Sequence, residues 1–372
     1  MLFWLGVALL CSTLVTLLLY LIYLHIYIRV RYMHFLVRIF QEKPLFIIPR
    51  GQPLEEAEQV RFPTRDGLML TGCYLRAPKP RRGVILFGLE FGSNCWSCRS
   101  YCEHLVAGGF DVFAFESRNQ GTSDAMPGYE PLQWVTTYEV SDVEAALEYL
   151  KKRPDADPRG VGFFGISKGG SAGLLVATHD PYIRCCVTDG AFATYTTLVP
   201  YMKQWFRIYN NHYTIQGFIP LWFYGLIGLA GIRQTERERR CRFPHLERHL
   251  PRLAPRPLLM IHGKADTYIK EDMTTRLFEF AQQPKELWLV ENAKHNQALQ
   301  VAGEEYRQRV LRFFETHLAQ DQETKPITTN HTNHTNNTNQ ETNGRAPARR
   351  RKKTMTNFLA PVFRLFVFFL CL

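Results

Sequence analysis

The chain has 372 residues, 46% of them hydrophobic and 13% aromatic, enough to bury the core of one domain of ~250–300 residues with appendages to spare. Its net charge is +11, but the basic residues crowd into Arg29 to Arg38, Arg233 to Arg256 and Arg345 to Lys353, and no nucleic-acid-binding motif accompanies them. Anionic lipid headgroups therefore fit better than nucleic acid as a partner. Nine cysteines, an odd number with Cys185 and Cys186 adjacent, do not make a secreted disulfide framework; free thiols in a reducing compartment fit instead.

In chain order, Met1 to Ile28 holds no Asp, Glu, Lys or Arg. It exceeds the ~20 residues that span a bilayer and reads as a transmembrane anchor. A cleaved signal peptide is the rival reading, but the basic n-region is missing and the apolar run is too long. A buried core helix would seldom be apolar all round for so long. The near flank's positive charge all follows the segment, so the C-terminal side is expected to face the cytoplasm. Residues 29–56 read as a juxtamembrane connector broken by Pro44, Pro49 and Pro53. Gln59–Phe62 and Leu68–Leu75 flank a Thr-Arg-Asp-Gly turn and predict a hairpin. The spacing then predicts strands at Gly83–Gly88, Asp111–Phe115, Ile183–Thr188, Leu258–Gly263 and Glu286–Val290. Helices are predicted at Cys95–Ala107, Ser141–Lys152, Glu271–Gln282 and Glu304–His317. Two antiparallel strands followed by alternating β and α predict a mostly parallel sheet with helices on both faces.

One stretch organises this series. The apolar run Val161 to Ile166 rises to Gly165-Ile166-Ser167-Lys168-Gly169, and a small-residue, helix-compatible segment, Ser171 to Ala177, follows. This is the strand–elbow–helix pattern of a nucleophilic serine. A serine hydroxyl is a weak nucleophile and must be exposed on a tight turn where a histidine can take its proton. Small neighbours let strand and helix pass closely there, and the Lys168 N–H would face a developing oxyanion. Asp266 and His295 each follow a predicted strand, at the end where open α/β sheets form their sites. Asp189, after Ile183–Thr188, is a rival acid, and a helix cap for Asp266 or a surface loop for His295 are the plain alternatives.

The chain resembles the α/β-hydrolase superfamily over about residues 57–318, and most nearly its Bem46-like, serine-aminopeptidase-like branch. The resemblance is carried by Phe115 to Asp124 (a variant of D-x-R-G-x-G-x-S), by the elbow, by His262-Gly263-Lys264-Ala265-Asp266 and by Ala293-Lys294-His295. It implies an α/β-hydrolase fold with a helical lid over about residues 191–250, and Ser167 as nucleophile, Asp266 as acid and His295 as base. It also implies Phe91 as the second oxyanion donor, although Leu89-Glu90 stands where many relatives carry His-Gly. A carboxylate there would be unfavourable unless it points away or is protonated.

The region Ala191–Cys241 is unusually aromatic, with Trp205, Phe206, Tyr209, Tyr213, Phe218, Trp222, Phe223 and Tyr224. It reads either as a lid lining an acyl-chain pocket or dipping into lipid, or as plain core packing. Cys95, Cys98 and Cys102 share one helix face and read as core rather than as a zinc site. Residues 319–353 form an Asn/Thr-rich and basic tether whose composition cannot bury a core. Its sequons at Asn330, Asn333 and Asn336 matter only if it is lumenal. Residues 354–372 form an apolar tail, either an interfacial helix or an accidental terminus.

The expected function is a membrane-anchored serine hydrolase acting on esters or thioesters of small-molecule or lipid-like acyl substrates, with no cofactor and no metal. The elbow's Gly-Ile-Ser-Lys-Gly-Gly looks like bacterial relatives of bile-acid acyltransferase thioesterases, so an acyl-CoA thioesterase is one alternative. A pseudo-hydrolase that binds without turnover, favoured by Glu90, is another. Peptidase activity is implied by the branch alone, and nothing in the sequence sets an oligomeric state.

Overall fold

The computed structural model describes residues 1–41, 50–78, 80–209 and 219–319. Met1–Asp321 is one compact unit; Gln322–Leu372, the other, lies outside the described residues. The expected tether, sequons, basic run and apolar tail therefore fall outside them, as do Tyr213 and Phe218 and the side chains of Trp205, Phe206 and Tyr209.

Eight strands form one sheet in the order β1-β2-β4-β3-β5-β6-β7-β8. They are β1 (Glu58–Pro63), β2 (Met69–Leu75), β3 (Gly83–Gly88), β4 (Phe110–Phe115), β5 (Val161–Ile166), β6 (Ile183–Asp189), β7 (Leu258–Gly263) and β8 (Lys285–Val290). The β1–β2 and β2–β4 pairs are antiparallel and the remaining pairs parallel. Strands β3, β4, β5 and β7 are buried at every position. A sheet covered on both faces needs such continuous apolar runs. Among the helices, α1 (Leu2–Arg31), α2 (Met33–Gln41), α3 (Cys98–Ala107) and α4 (Thr137–Lys152) precede the elbow. After it come α5 (Ser167–Ala177), α6 (Thr194–Tyr209), α7 (Leu221–Arg239), α8 (Leu246–His249), α9 (Glu271–Phe280), α10 (Ala298–Ala302) and α11 (Glu304–His317).

One core joins α4 and α5 to a face of the sheet through Leu147, Leu174, Phe113 and Phe163, and a second joins α3 and α11 to the other through Tyr101, Phe314, Phe87 and Phe164. Cys95, Cys98 and Cys102 pack into the second core beside Cys73, whose sulfur lies 3.8 Å from that of Cys98. A third apolar cluster belongs to the insertion between β6 and β7. There Phe192, Leu198, Met202, Phe223, Tyr224 and Ile227 meet Leu132 and Trp134.

The connector expectation needs correction. Residues 33–41 are helical, and α2 lays Met33, Leu36, Val37 and Phe40 on that third cluster. The apolar residues recur at 33, 36, 37 and 40, a helical stripe that the later prolines obscured. Helix α1 is long and apolar enough to cross a membrane, about 45 Å at 1.5 Å per residue, and it runs past Ile28 to Arg31. Its C-terminal third reaches the insertion, where His25 stands edge-on to Phe223 at 6.2 Å. Helix α4 begins a turn earlier than expected. Thr136 caps it and Glu139 returns the bond to the Thr136 N–H, a capping box legible as Thr-x-x-Glu.

Candidate active site

The elbow forms because β5 ends against a helix start that tolerates no side-chain bulk. Ser167 has φ 49°, a left-handed conformation rare for a non-glycine residue. A Cβ on Gly169 would lie 2.2 Å from the Leu89 carbonyl oxygen and 2.4 Å from the Gly88 carbonyl carbon. Glycine is what lets the start of α5 press on the β3 loop. That contact carries Phe91 alongside Lys168, whose ammonium is 5.3 Å from the Phe91 ring centroid. Among the described residues neither the Lys168 nor the Phe91 backbone N–H donates a backbone hydrogen bond.

The three residues singled out downstream converge. Ser167 Oγ donates to His295 Nε2 at 2.9 Å, and His295 Nδ1 donates to Asp266 Oδ2 at 2.6 Å. The carboxylate selects this tautomer by accepting the Nδ1 proton. Asp266 is itself held, because its Oδ1 accepts from the Tyr268 and Ile269 N–H groups at 2.7 and 2.9 Å. Tyr268 stands edge-on to the imidazole, ring centroids 5.3 Å apart. The serine is 4% exposed, so its hydroxyl faces a largely water-excluded space.

Asp189, the rival acid, is elsewhere engaged. It ends β6 and accepts from the Tyr306 hydroxyl at 3.0 Å through Oδ2, while its Oδ1 has no partner. Burial pushes its carboxyl up to about 7. Glu90 also turns out of the site: its Oε2 accepts from the Asn296 amide at 2.6 Å, and the Tyr101 hydroxyl stands 3.5 Å from Oε1. Burial pushes Glu90 up to about 7, with Asp189 adding to the effect and the Asn296 bond opposing it.

Three supporting side chains were not assigned roles from sequence. His262 is fully buried; its Nε2 donates to the Ile269 carbonyl at 2.8 Å and its Nδ1 accepts from Thr274 Oγ1 at 3.1 Å, bracing the Asp266 loop. Burial lowers its basicity, in keeping with a neutral ring. Lys168 is buried against Glu139 at 2.8 Å and donates to the Leu132 carbonyl at 2.6 Å, tying the elbow to the segment before α4. Arg118, in the Phe115–Asp124 motif, is sealed between Asp142 at 2.7 Å and Asp66 at 2.7 Å. Local signals for these existed, in the His-Gly of the Asp266 motif and the arginine of the β4 loop, but their partners lie too far along the chain to be paired by inspection.

The family model described as the alpha/beta hydrolase family matches residues 87–310. The chain belongs to the alpha/beta hydrolase family. Among relatives of this hydrolase, the Escherichia coli O157:H7 protein YfhR is 26% identical over 264 residues, 69% of this chain and 80% of YfhR. A thiohydrolase of Eupenicillium brefeldianum is 33% identical over 142 residues, 37% of this chain and 44% of its own length. Among solved structures, the Pyrococcus furiosus esterase Pf2001 matches at a TM-score of 0.55 with 21% identity, covering 75% of this chain and 98% of the esterase. The hydrolase family thus accounts for the strand order and the elbow.

Proposed function

We propose that this α/β hydrolase is a membrane-anchored serine hydrolase of the Bem46-like branch that cleaves ester or thioester bonds of apolar acyl substrates. The observation that carries the reading is the hydrogen-bonded series Ser167–His295–Asp266 on a left-handed serine. His295 Nε2 takes the Ser167 proton as Oγ attacks the acyl carbonyl, and Asp266 orients and stabilises the imidazolium. The Lys168 and Phe91 N–H groups receive the developing oxyanion. His295 then returns the proton to the departing alcohol or thiol, and water releases the acid by the same route in reverse.

The apolar substrate class is supported by the third cluster, which gathers Trp134, Phe192 and Met202 around the insertion read as a lid. Membrane anchoring is supported by α1 and its following arginines, with the catalytic domain on the cytoplasmic side. A thioesterase reading is favoured separately by the thiohydrolase relatives. The pseudo-hydrolase reading loses its motive, since Glu90 is bonded to Asn296 rather than aimed at the site. Hydrolysis of p-nitrophenyl esters by purified protein tests the proposal. Ser167→Ala and His295→Ala should each cost roughly 10³-fold or more in kcat. Normal turnover by folded Ser167→Ala would sink it.

A further inference from the structure

Behind the imidazole lies a buried group of acids that the chemistry above does not use. Glu90 is 2% exposed, Asp189 1% and Asn296 8%. Asn296 follows His295 directly, in a left-handed conformation at φ 57°. Its amide nitrogen bonds Glu90, while its oxygen has no hydrogen-bond partner. A Cβ on Gly190 would sit 2.8 Å from that oxygen and 3.4 Å from His295 Cε1, so the Asp189-Gly190 turn abuts the His295-Asn296 turn. Glu90 meanwhile precedes Phe91, the second oxyanion donor. One hydrogen bond therefore joins the oxyanion loop to the histidine loop, 206 positions apart in the chain.

We propose that Glu90 is a positioning residue: it locks the histidine loop to the oxyanion loop through Asn296, and it does so as the neutral acid. The proposal rests on the hydrolase reading above. The surroundings favour the proton. Facing Glu90 or Asp189 are Tyr101 from α3, Tyr306 from α11, Asn296 and His295 after β8, and Asp266 after β7. No lysine or arginine among the described residues is paired with either acid. Asp189 Oδ1 and Asn296 Oδ1 are acceptors lacking a donor, and a neutral Glu90 brings an O–H into this group. An ionised Glu90 would instead place a negative charge one residue from the N–H that must receive the oxyanion, which opposes the transition state. The departure from His-Gly at this loop is thus a substitution with a function of its own.

Kinetics and melting of the purified full chain in detergent test this. Glu90→Ala and Asn296→Ala should each lower kcat by about 10- to 100-fold with KM little changed, the cost of a misplaced base. The double variant should be no worse than the poorer single, because both break one link. Glu90→Gln should restore kcat to within about threefold, and its kcat should stay level above about pH 7 where the native value declines. A carboxyl held above its unfolded value stabilises the fold fully below that value and loses the contribution as pH rises through about 7. The Tm of Glu90→Gln should therefore gain on the native Tm between about pH 5 and pH 8. Additive losses, near-native kcat in both alanine variants, or a Glu90→Gln profile parallel to the native one would overturn the proposal. If the native protein turns over no ester, the hydrolase reading fails and the Tm comparison alone decides whether Glu90 holds the proton: a constant Tm difference across that range rejects it.

Discussion

Removing the Glu139 carboxylate should be costly, because among the described residues it is the sole acidic partner of the buried lysine next to Ser167. Lys168 and Glu139 side chains are each 4% exposed and 2.8 Å apart. Glu139 also accepts from the Tyr129 hydroxyl at 2.7 Å and from the Thr136 N–H at 2.8 Å. Glu139→Ala leaves the ammonium, among the described residues, with the Leu132 carbonyl as its hydrogen-bond partner and only the Phe91 ring nearby, and breaking one side of a buried pair costs about 3–5 kcal/mol. Against a total stability of about 5–15 kcal/mol, and at about 2–4 °C per kcal/mol for a domain of this size, Tm should fall by roughly 6–20 °C. Lys168→Met with Glu139→Leu, which removes both charges, should recover most of that loss. Burial opposes ionisation of Glu139, but Lys168 and the hydrogen bonds from Tyr129 and Thr136 hold its carboxyl below the ordinary value. A depressed carboxyl contributes stability above its unfolded value and loses it as pH falls through the folded one. The gap between native and Glu139→Ala should accordingly narrow in acid. Differential scanning fluorimetry across pH reads all of this. A Tm for Glu139→Ala within about 2 °C of native at pH 7 would refute the argument that the pair is a stability element.

Gly169→Ala should abolish ester turnover, since its Cβ meets backbone at Gly88 and Leu89 rather than a side chain that could yield; circular dichroism should still report a folded chain. Across p-nitrophenyl esters from acetyl to octanoyl, kcat/KM should climb, with each buried methylene worth about 0.8 kcal/mol. Trp134→Ala should flatten that climb, because Trp134 packs on Phe40, Phe192 and Tyr201 in the third cluster; acetyl as best substrate would retire the apolar class. In sealed vesicles with the cytoplasmic face outward, added protease should cleave the chain between residues 320 and 344, and protection there would reverse the orientation.

The inner strands were legible because parallel strands buried on both faces write largely apolar runs: β3 and β7 match their expected limits, and β4, β5 and β6 differ by a residue or less. The partly exposed edge strand β8, placed to within one residue, was legible from Leu287 to Val290 instead. The elbow and its two partners were legible because their spacing is set by backbone geometry and by strand ends. Helix α2 was not, because its amphipathic stripe is only nine residues long and runs directly into the proline-rich segment that reads as a connector. The role of Glu90 was hidden for a different reason. Its partner Asn296 sits at the far end of the domain, and nothing local separates a carboxylate aimed at the site from one turned behind it.

The most direct test of the account is the site of covalent capture. Native protein treated with a fluorophosphonate, digested and mapped by mass spectrometry, should carry the adduct on Ser167 alone, and His295→Ala should carry almost none. An adduct on any other serine, or none on a folded native chain, would contradict the assignment of Ser167 as the nucleophile.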